Sequence, residues 1–185
     1  MRNPILSVLL VAGLLLPAGV AAQTVIESDT PLRQRDVVFV PTREAVADAM
    51  MKLAGVTTSD VVYDLGCGDG ALLIAAAKLG ARAVGVDIDP RRIAEATENV
   101  RRAGVADRVT LIRGDIFDPK IEIRDATVVT LYLLQRLNER LMPRLKDELR
   151  PGARVVSHAF TMGASWPPDR TQQADGTNVY LWTIE

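Results

Sequence analysis

The sequence predicts a doubly wound α/β fold: a mostly parallel sheet flanked by helices and finished by an antiparallel C-terminal hairpin strand. Three observations predict it. Apolar, β-rich runs alternate with helical stretches between Val61 and His158. One of those runs passes directly into a loop of three alternate glycines, with a helix starting at Ala71. Near the C-terminus, Asp175-Gly176 separates two strand-like segments, a strong short-range hairpin signal.

Composition narrows the function classes. The chain has 185 residues, 48% of them apolar and 24% charged, which excludes long disorder, collagen and coiled coil. With 22 basic and 23 acidic residues there is no overall basic field for wrapping nucleic acid. The lone Cys67 excludes an internal disulfide, and the single histidine, His158, argues against a His-built metal site, so no metal is expected.

Taken in order, Met1-Arg2-Asn3-Pro4 is a short basic lead, and residues 5–22 then run without a charge. Residues 1–22 read either as a signal peptide, with cleavage after Val20-Ala21-Ala22, or as an N-terminal membrane anchor. Pro17 suits a signal-peptide break, while Arg2 before the segment and Arg33 and Arg35 after it leave orientation open. Residues 23–36 are polar and read as an irregular linker, leaving 37–185 as one folded domain. A helix is expected over Thr42–Ala54, with Thr42 as N-cap and Gly55 as the stop. Strands are expected at Val61–Asp64, Ala83–Asp87, Val109–Arg113, Thr127–Tyr132 and Arg154–His158. Between them, Ala71–Leu79 is apolar nearly all round, Asp89-Pro90 opens a helix running to about Arg102, and Leu137–Leu149 forms a helix broken by Pro143. The tail pairs Arg170–Ala174 with Asn178–Ile184.

The most informative stretch is Val61-Val62-Tyr63-Asp64-Leu65-Gly66-Cys67-Gly68-Asp69-Gly70. Glycines allow a sharp turn and close approach of a ligand, and the helix behind them offers free N–H groups. Gly66, Gly68 and Ala71 also satisfy the dinucleotide pattern, so the glycines alone do not choose a cofactor. Asp64 discriminates. A carboxylate two residues before the first glycine repels a pyrophosphate and attracts an ammonium. Asp87 ends the second strand, where an acid accepts from both ribose hydroxyls, and Asp115 ends the third, facing an adenine amino group. Amine, ribose and adenine without phosphate describe S-adenosylmethionine. The candidate cofactor-binding set is Thr42, Asp64, Gly66, Cys67, Gly68, Gly70, Asp87, Ile88, Asp115 and Ile116. Phe39, Val40 and Thr42 are placed to close over the methyl donor.

These residues resemble the class I S-adenosylmethionine-dependent methyltransferases over roughly Val37 to Glu185. Asp64-x-Gly66-x-Gly68-x-Gly70 looks like that family's first motif, and Asp87 like its ribose-binding acid. Val40-Pro41-Thr42, the block 128–134 and the stretch from Lys146 to Ser157 are similar to one protein-lysine methyltransferase group within it. That group includes the mitochondrial enzymes acting on the ATP synthase c-subunit and the adenine nucleotide translocase. The resemblance implies a Rossmann-like methyltransferase fold, S-adenosyl-L-methionine as cofactor, and a protein-lysine substrate, with membrane association through residues 5–22. In two places the chain departs from the pattern: residues 158–162 lack acids associated with that stretch in bacterial relatives, and Cys67 stands where serine is frequent.

Displacement at a sulfonium needs proximity, alignment and a neutral nucleophile, so no catalytic motif is obligatory. Tyr132, at the end of the fourth strand, and His158, at the end of the fifth, are the candidate catalytic residues, one orienting an amine and the other acting as base. There is no Asn/Asp-Pro-Pro-aromatic tetrad, which argues against amino methylation of adenine or cytosine. Two other readings stay open: a small-molecule O- or N-methyltransferase, and an exported, non-catalytic nucleoside-binding domain. Location follows the leader: exported to the periplasm if it is a signal, or held at the membrane with the domain on the cytosolic side if it is an anchor.

Overall fold

The structure is a computed structural model, which describes residues 24–28, 30, 32 and 38–185. The leader expected at 1–22 lies outside the described residues. Among the described residues, eight strands form one sheet: β1 (Thr24–Glu27), β2 (Val61–Leu65), β3 (Arg82–Asp87), β4 (Val109–Arg113), β5 (Val128–Leu131), β6 (Arg154–His158), β7 (Arg170–Ala174) and β8 (Thr177–Thr183). Four α-helices of the described residues join them: α1 (Glu44–Ala54), α2 (Ala71–Lys78), α3 (Pro90–Arg102) and α4 (Gln135–Glu148).

The strand order is β1-β4-β3-β2-β5-β6-β8-β7. All neighbours are parallel except β8, which runs antiparallel to both β6 and β7. Helices α1, α2 and α3 cover one face, with Val46, Met50, Leu73 and Val100 in a buried layer. Helix α4 and residues 116–126 cover the other, where Leu141, Leu145, Ile123 and Trp182 are buried. Because the chain leaves β2 toward β3 and β4 and then returns to β5 on the opposite side, order reverses between β2 and β5. In an open parallel sheet that reversal opens a crevice at the carboxyl ends of the strands.

Several local expectations change. The segment expected to be an irregular linker contributes β1, paired in parallel with β4 from Thr24↔Thr110 to Glu27↔Arg113. Its four residues are all exposed, so no alternation marked it, although Thr24, Val25 and Ile26 are β-branched. Arg43, not Thr42, takes the N-cap position of α1, with no side-chain cap bond. Helix α4 runs unbroken through Pro143. Pro143 and Glu139 are both exposed, so the carbonyl left without an N–H partner faces water, where the loss is tolerable. The hairpin turns at Asp175 (φ 48°) and Gly176 (φ 80°) as expected, but it adds two antiparallel strands, with β8 inside the sheet and β7 at its edge. Among the described residues, no helix is long and apolar enough to cross a membrane.

Candidate active site

A cleft of about 500 Å³ opens at the β2/β5 reversal. Each parallel strand that reaches this edge delivers a side chain or loop to it. Asp64 comes from β2, Asp87 and Ile88 from β3, Asp115 and Ile116 from the turn after β4, and Tyr132 and Leu133 from the turn after β5. Gly66, Cys67 and Asp69 form its floor, while Val38, Phe39, Val40 and Thr42 cross over from the N-terminal side. Eleven residues singled out from the sequence therefore meet in one place: Phe39, Val40, Thr42, Asp64, Gly66, Cys67, Asp87, Ile88, Asp115, Ile116 and Tyr132.

The other two glycines lie behind the cleft wall. Gly68 has φ 52°, and a Cβ there would come within 2.3 Å of the Phe39 ring. Gly70, with φ 83°, caps α2 and packs against Ala96 of α3. The loop is tied to β3 because the Gly66 and Cys67 N–H groups both donate to the Val86 carbonyl, at 2.8 and 3.0 Å. Burial, with Asp64 and Asp87 nearby, pushes the Cys67 thiol well above its usual range, so it is not a nucleophile at neutral pH.

The three strand-end acids differ in their surroundings. Asp64 is 2% exposed and accepts from the Thr130 hydroxyl at 2.7 Å. Burial, with the charges of Asp87 and Asp69, outweighs that bond and pushes its carboxyl up to about 7. Asp87 accepts from the Gly68 N–H and the Asp89 N–H, both at 2.9 Å. Burial still raises it above the usual carboxylate range. Asp115 accepts from the Phe117 N–H at 2.9 Å and is half-buried at the cleft rim. Thr130 was not singled out from the sequence, yet the β2/β5 register sets it directly across from Asp64.

This set of groups decides what fits. Among the described residues, the one cation on the wall is Arg92, whose guanidinium sits 4.5 Å from the Phe39 ring centroid and pairs with Glu95 at 2.6 Å. No lysine among the described residues lines the cleft, so a pyrophosphate would face carboxylates with little compensation. A nucleoside carrying an ammonium and a sulfonium suits the same walls.

Beyond the acids, Tyr132, His158 and Phe160 form an aromatic group where β5 and β6 end. The Tyr132 and His158 ring centroids are 3.8 Å apart, and those of Tyr132 and Phe160 are 6.4 Å apart. Tyr132 and Phe160 line the cleft, while His158 stands behind Tyr132 with only 6% exposure. Burial and the positive charge of Arg43 depress the His158 imidazole, keeping it neutral near pH 7. Its Nδ1 has no partner among the described residues. Val38, Val40 and Leu134 are exposed apolar residues around the cleft mouth.

Comparison with known proteins agrees with this geometry. The ANTKMT methyltransferase domain family matches residues 64–170. A protein-lysine N-methyltransferase of Saccharolobus islandicus is 44% identical over 153 residues, covering 80% of this chain and 94% of that protein. The ribosomal protein L11 methyltransferase of Thermus thermophilus is 38% identical over 97 residues, 52% of this chain but 37% of that protein. Among solved structures, an RNA methyltransferase from Salinibacter ruber in complex with S-adenosyl-L-homocysteine is 51% identical, with a TM-score of 0.74 over 78% of this chain and 94% of that one. A ribosomal protein L11 methylase from Lactobacillus delbrueckii shares the fold at 21% identity and a TM-score of 0.64, covering 76% of this chain and 78% of that one. An acid-walled nucleoside cleft at the sheet reversal and a family match spanning most of the domain lead to one conclusion: the chain belongs to the ANTKMT methyltransferase domain family, and it is a class I S-adenosylmethionine-dependent methyltransferase.

Proposed function

We propose that the enzyme methylates the side-chain amine of lysine in a protein. The observation that carries this reading is the similarity to the Saccharolobus islandicus protein-lysine N-methyltransferase, which this chain covers almost end to end. The cleft supports it, because an amine acceptor needs no metal or phosphate clamp, only an aligned approach as a neutral nucleophile.

When bound, S-adenosylmethionine supplies an electrophilic methyl group on a sulfonium. The chain's residues do the rest. Asp64 would pair with the donor's ammonium, Asp87 would accept from the ribose hydroxyls and Asp115 from the adenine amine, with Ile88 and Ile116 as apolar lining of the same cleft. Gly66, Cys67 and Thr42 shape the floor and near wall, and Gly68 and Gly70 hold the loop. Tyr132, on the cleft wall, orients the acceptor nitrogen. His158, expected from the sequence as a base, stands behind Tyr132 outside the cleft lining, where its neutral imidazole backs that ring, and the proton that the methylated amine sheds leaves to water. The uncharged run 5–22 supports an acceptor at the membrane, with that run as an anchor and the domain on the cytosolic side, where the donor is made.

RNA methylation is the second reading, since the 51% identical Salinibacter ruber protein is described as an RNA methyltransferase. One experiment separates the readings. Purified enzyme and tritiated donor are added to membrane and soluble extracts of a deletion strain. Label in a protein band, recovered as methyl-lysine after hydrolysis, is the expected result, with enrichment in the membrane fraction. Label removed by ribonuclease, or found only in small molecules, overturns it. A thermal-shift titration with S-adenosylhomocysteine tests binding independently; no shift at millimolar ligand would sink both enzyme readings.

A further inference from the structure

Immediately after β6 the chain makes a bend that sequence rules do not favour. Ala159, a non-glycine residue, has φ 64°, in the left-handed region. The Phe160 N–H donates back to the His158 carbonyl at 2.8 Å, and the Ala159 N–H donates to the Asn178 carbonyl of β8 at 2.8 Å. This bend turns Phe160 onto the cleft wall next to Tyr132.

A buried polar pair braces the bend. The Ser157 hydroxyl donates to the Phe160 carbonyl at 2.7 Å. Asn138, fully buried on α4, directs its Nδ2 at Ser157 Oγ, the Phe160 carbonyl and the Thr161 carbonyl, at 3.3, 3.2 and 3.4 Å. Two of those acceptors are carbonyls, so the amide orientation follows from its neighbours. Its Oδ1 has no partner among the described residues. On a face otherwise made by Leu137, Leu141 and Leu145, a leucine would fill the space without burying an unsatisfied oxygen. Packing alone does not explain the asparagine. Its amide satisfies two carbonyls that the strained bend turns inward.

We propose that Asn138 is a positioning residue for methyl transfer: from the buried face of α4 it holds the bend at Ala159, and through it sets where Phe160 and Tyr132 receive the acceptor chain. The proposal rests on the lysine-methylation reading, in which the acceptor passes these two rings. Asn138 touches neither the cofactor acids nor the glycine loop, so donor affinity and acceptor alignment separate.

The test uses the full chain without a histidine tag, because His158 is then the one histidine and gives one ring Hε1 signal by proton NMR. That ring, tilted 31° to the Tyr132 ring with centroids 3.8 Å apart, reports the local geometry directly. Asn138→Leu is expected to leave S-adenosylhomocysteine affinity by calorimetry unchanged. It moves the His158 signal toward its unstructured position and lowers the initial rate of tritium transfer into deletion-strain extract by about 100-fold, the size of an alignment loss. Adding Ala159→Gly, which relieves the left-handed strain, partly restores both signal and rate. Ser157→Ala removes one brace and moves the same readouts in the same direction, by about tenfold in rate, and it stands in should Asn138→Leu fail to fold. An unmoved His158 signal, ligand affinity falling in step with rate, or no recovery with Ala159→Gly overturns the proposal. If the wild type labels no protein, the lysine reading fails, and the signal and calorimetry still decide whether Asn138 holds the bend.

Discussion

Asp64 shows how a binding group can work against its own fold. Its carboxyl is 2% exposed with one hydroxyl donor, and burial plus neighbouring acids push it from an ordinary 3.8 up to about 7. Between those values the folded state binds a proton that the unfolded chain does not. Asp64 therefore contributes stability that is fully present below about pH 4 and is lost as pH rises through about 7. An ammonium brought beside it reverses the preference and favours the carboxylate. In the proposed complex, S-adenosylhomocysteine affinity of the wild type tightens as pH climbs through about 7, as read by calorimetry. Asp64→Asn keeps an acceptor for Thr130 but has no charge. It is expected to bind about 100-fold more weakly, without the pH dependence, and to melt roughly 5 °C above wild type at pH 8 in the ligand-free state, the gap closing toward pH 5. Equal affinity in the two proteins would remove Asp64 from the ammonium site. A constant melting gap would show that its proton is not what destabilises the fold.

At the level of elements, Asp60 joins three of them. It is 5% exposed, accepts from the Thr57 N–H at 2.7 Å and the Thr127 hydroxyl at 2.7 Å, and pairs with Arg154 of β6. Arg154 in turn donates to the Ala54 carbonyl, at the end of α1, at 2.6 Å. Burial opposes ionisation of Asp60, but these bonds and the Arg154 charge outweigh it and hold its carboxyl below the usual range. Its stabilising contribution is present above the ordinary carboxylate value and is lost as pH falls through the lowered one. Asp60→Ala is predicted to cost about 3 kcal/mol at pH 7, read as a lower urea midpoint, and to flatten the acid limb of the stability curve. An unchanged midpoint would reduce the clasp to a surface ion pair. The same scale shows what the sequence makes legible. The opening of α3 was readable because Asp89-Pro90 carries its own chemistry, and Asp89 Oδ1 does accept from the Arg91 N–H at 2.9 Å. The acids of the cleft were readable because parallel strands in a doubly wound sheet end on one edge. Strand β1 was not, since an all-exposed edge strand has no apolar alternation. Phe160 and Asn138 were missed for a related reason. The bend that aims Phe160 is made by an alanine rather than a glycine, and an asparagine beside Leu137 reads as helix surface until the fold buries it.

For the whole molecule, charge separates a protein substrate from a nucleic acid. The chain carries 22 basic and 23 acidic residues, so any RNA-binding surface would have to come from local clustering. Helices α3 and α4 carry four basic residues each, and most of these are engaged: on α3, Arg92 pairs with Glu95 at 2.6 Å, and Arg101 and Arg102 pair with Glu98 at 2.8 and 3.2 Å. On α4, Arg140 lies 3.7 Å from the Phe117 ring centroid, Arg144 pairs with Glu148 at 2.7 Å and donates to the Ile116 carbonyl at 2.6 Å, and Lys146 lies 4.6 Å from the Trp166 ring centroid. Groups already packed or paired gain less from a phosphate than free ones and give up existing contacts to reach it. A protein that neutralises 6–10 phosphates loses roughly 10³–10⁵ in affinity between 50 and 200 mM salt, because condensed counterions are released on binding. A lysine side chain entering between Tyr132 and Phe160 carries no such counterion layer. Initial rates of tritium transfer into deletion-strain extract are therefore expected to fall by less than about tenfold across that salt range, and to survive ribonuclease pretreatment. A steep power-law loss with salt, together with ribonuclease sensitivity, would show that the charge balance of the chain conceals a functional phosphate-binding face, and would move the substrate from protein to RNA.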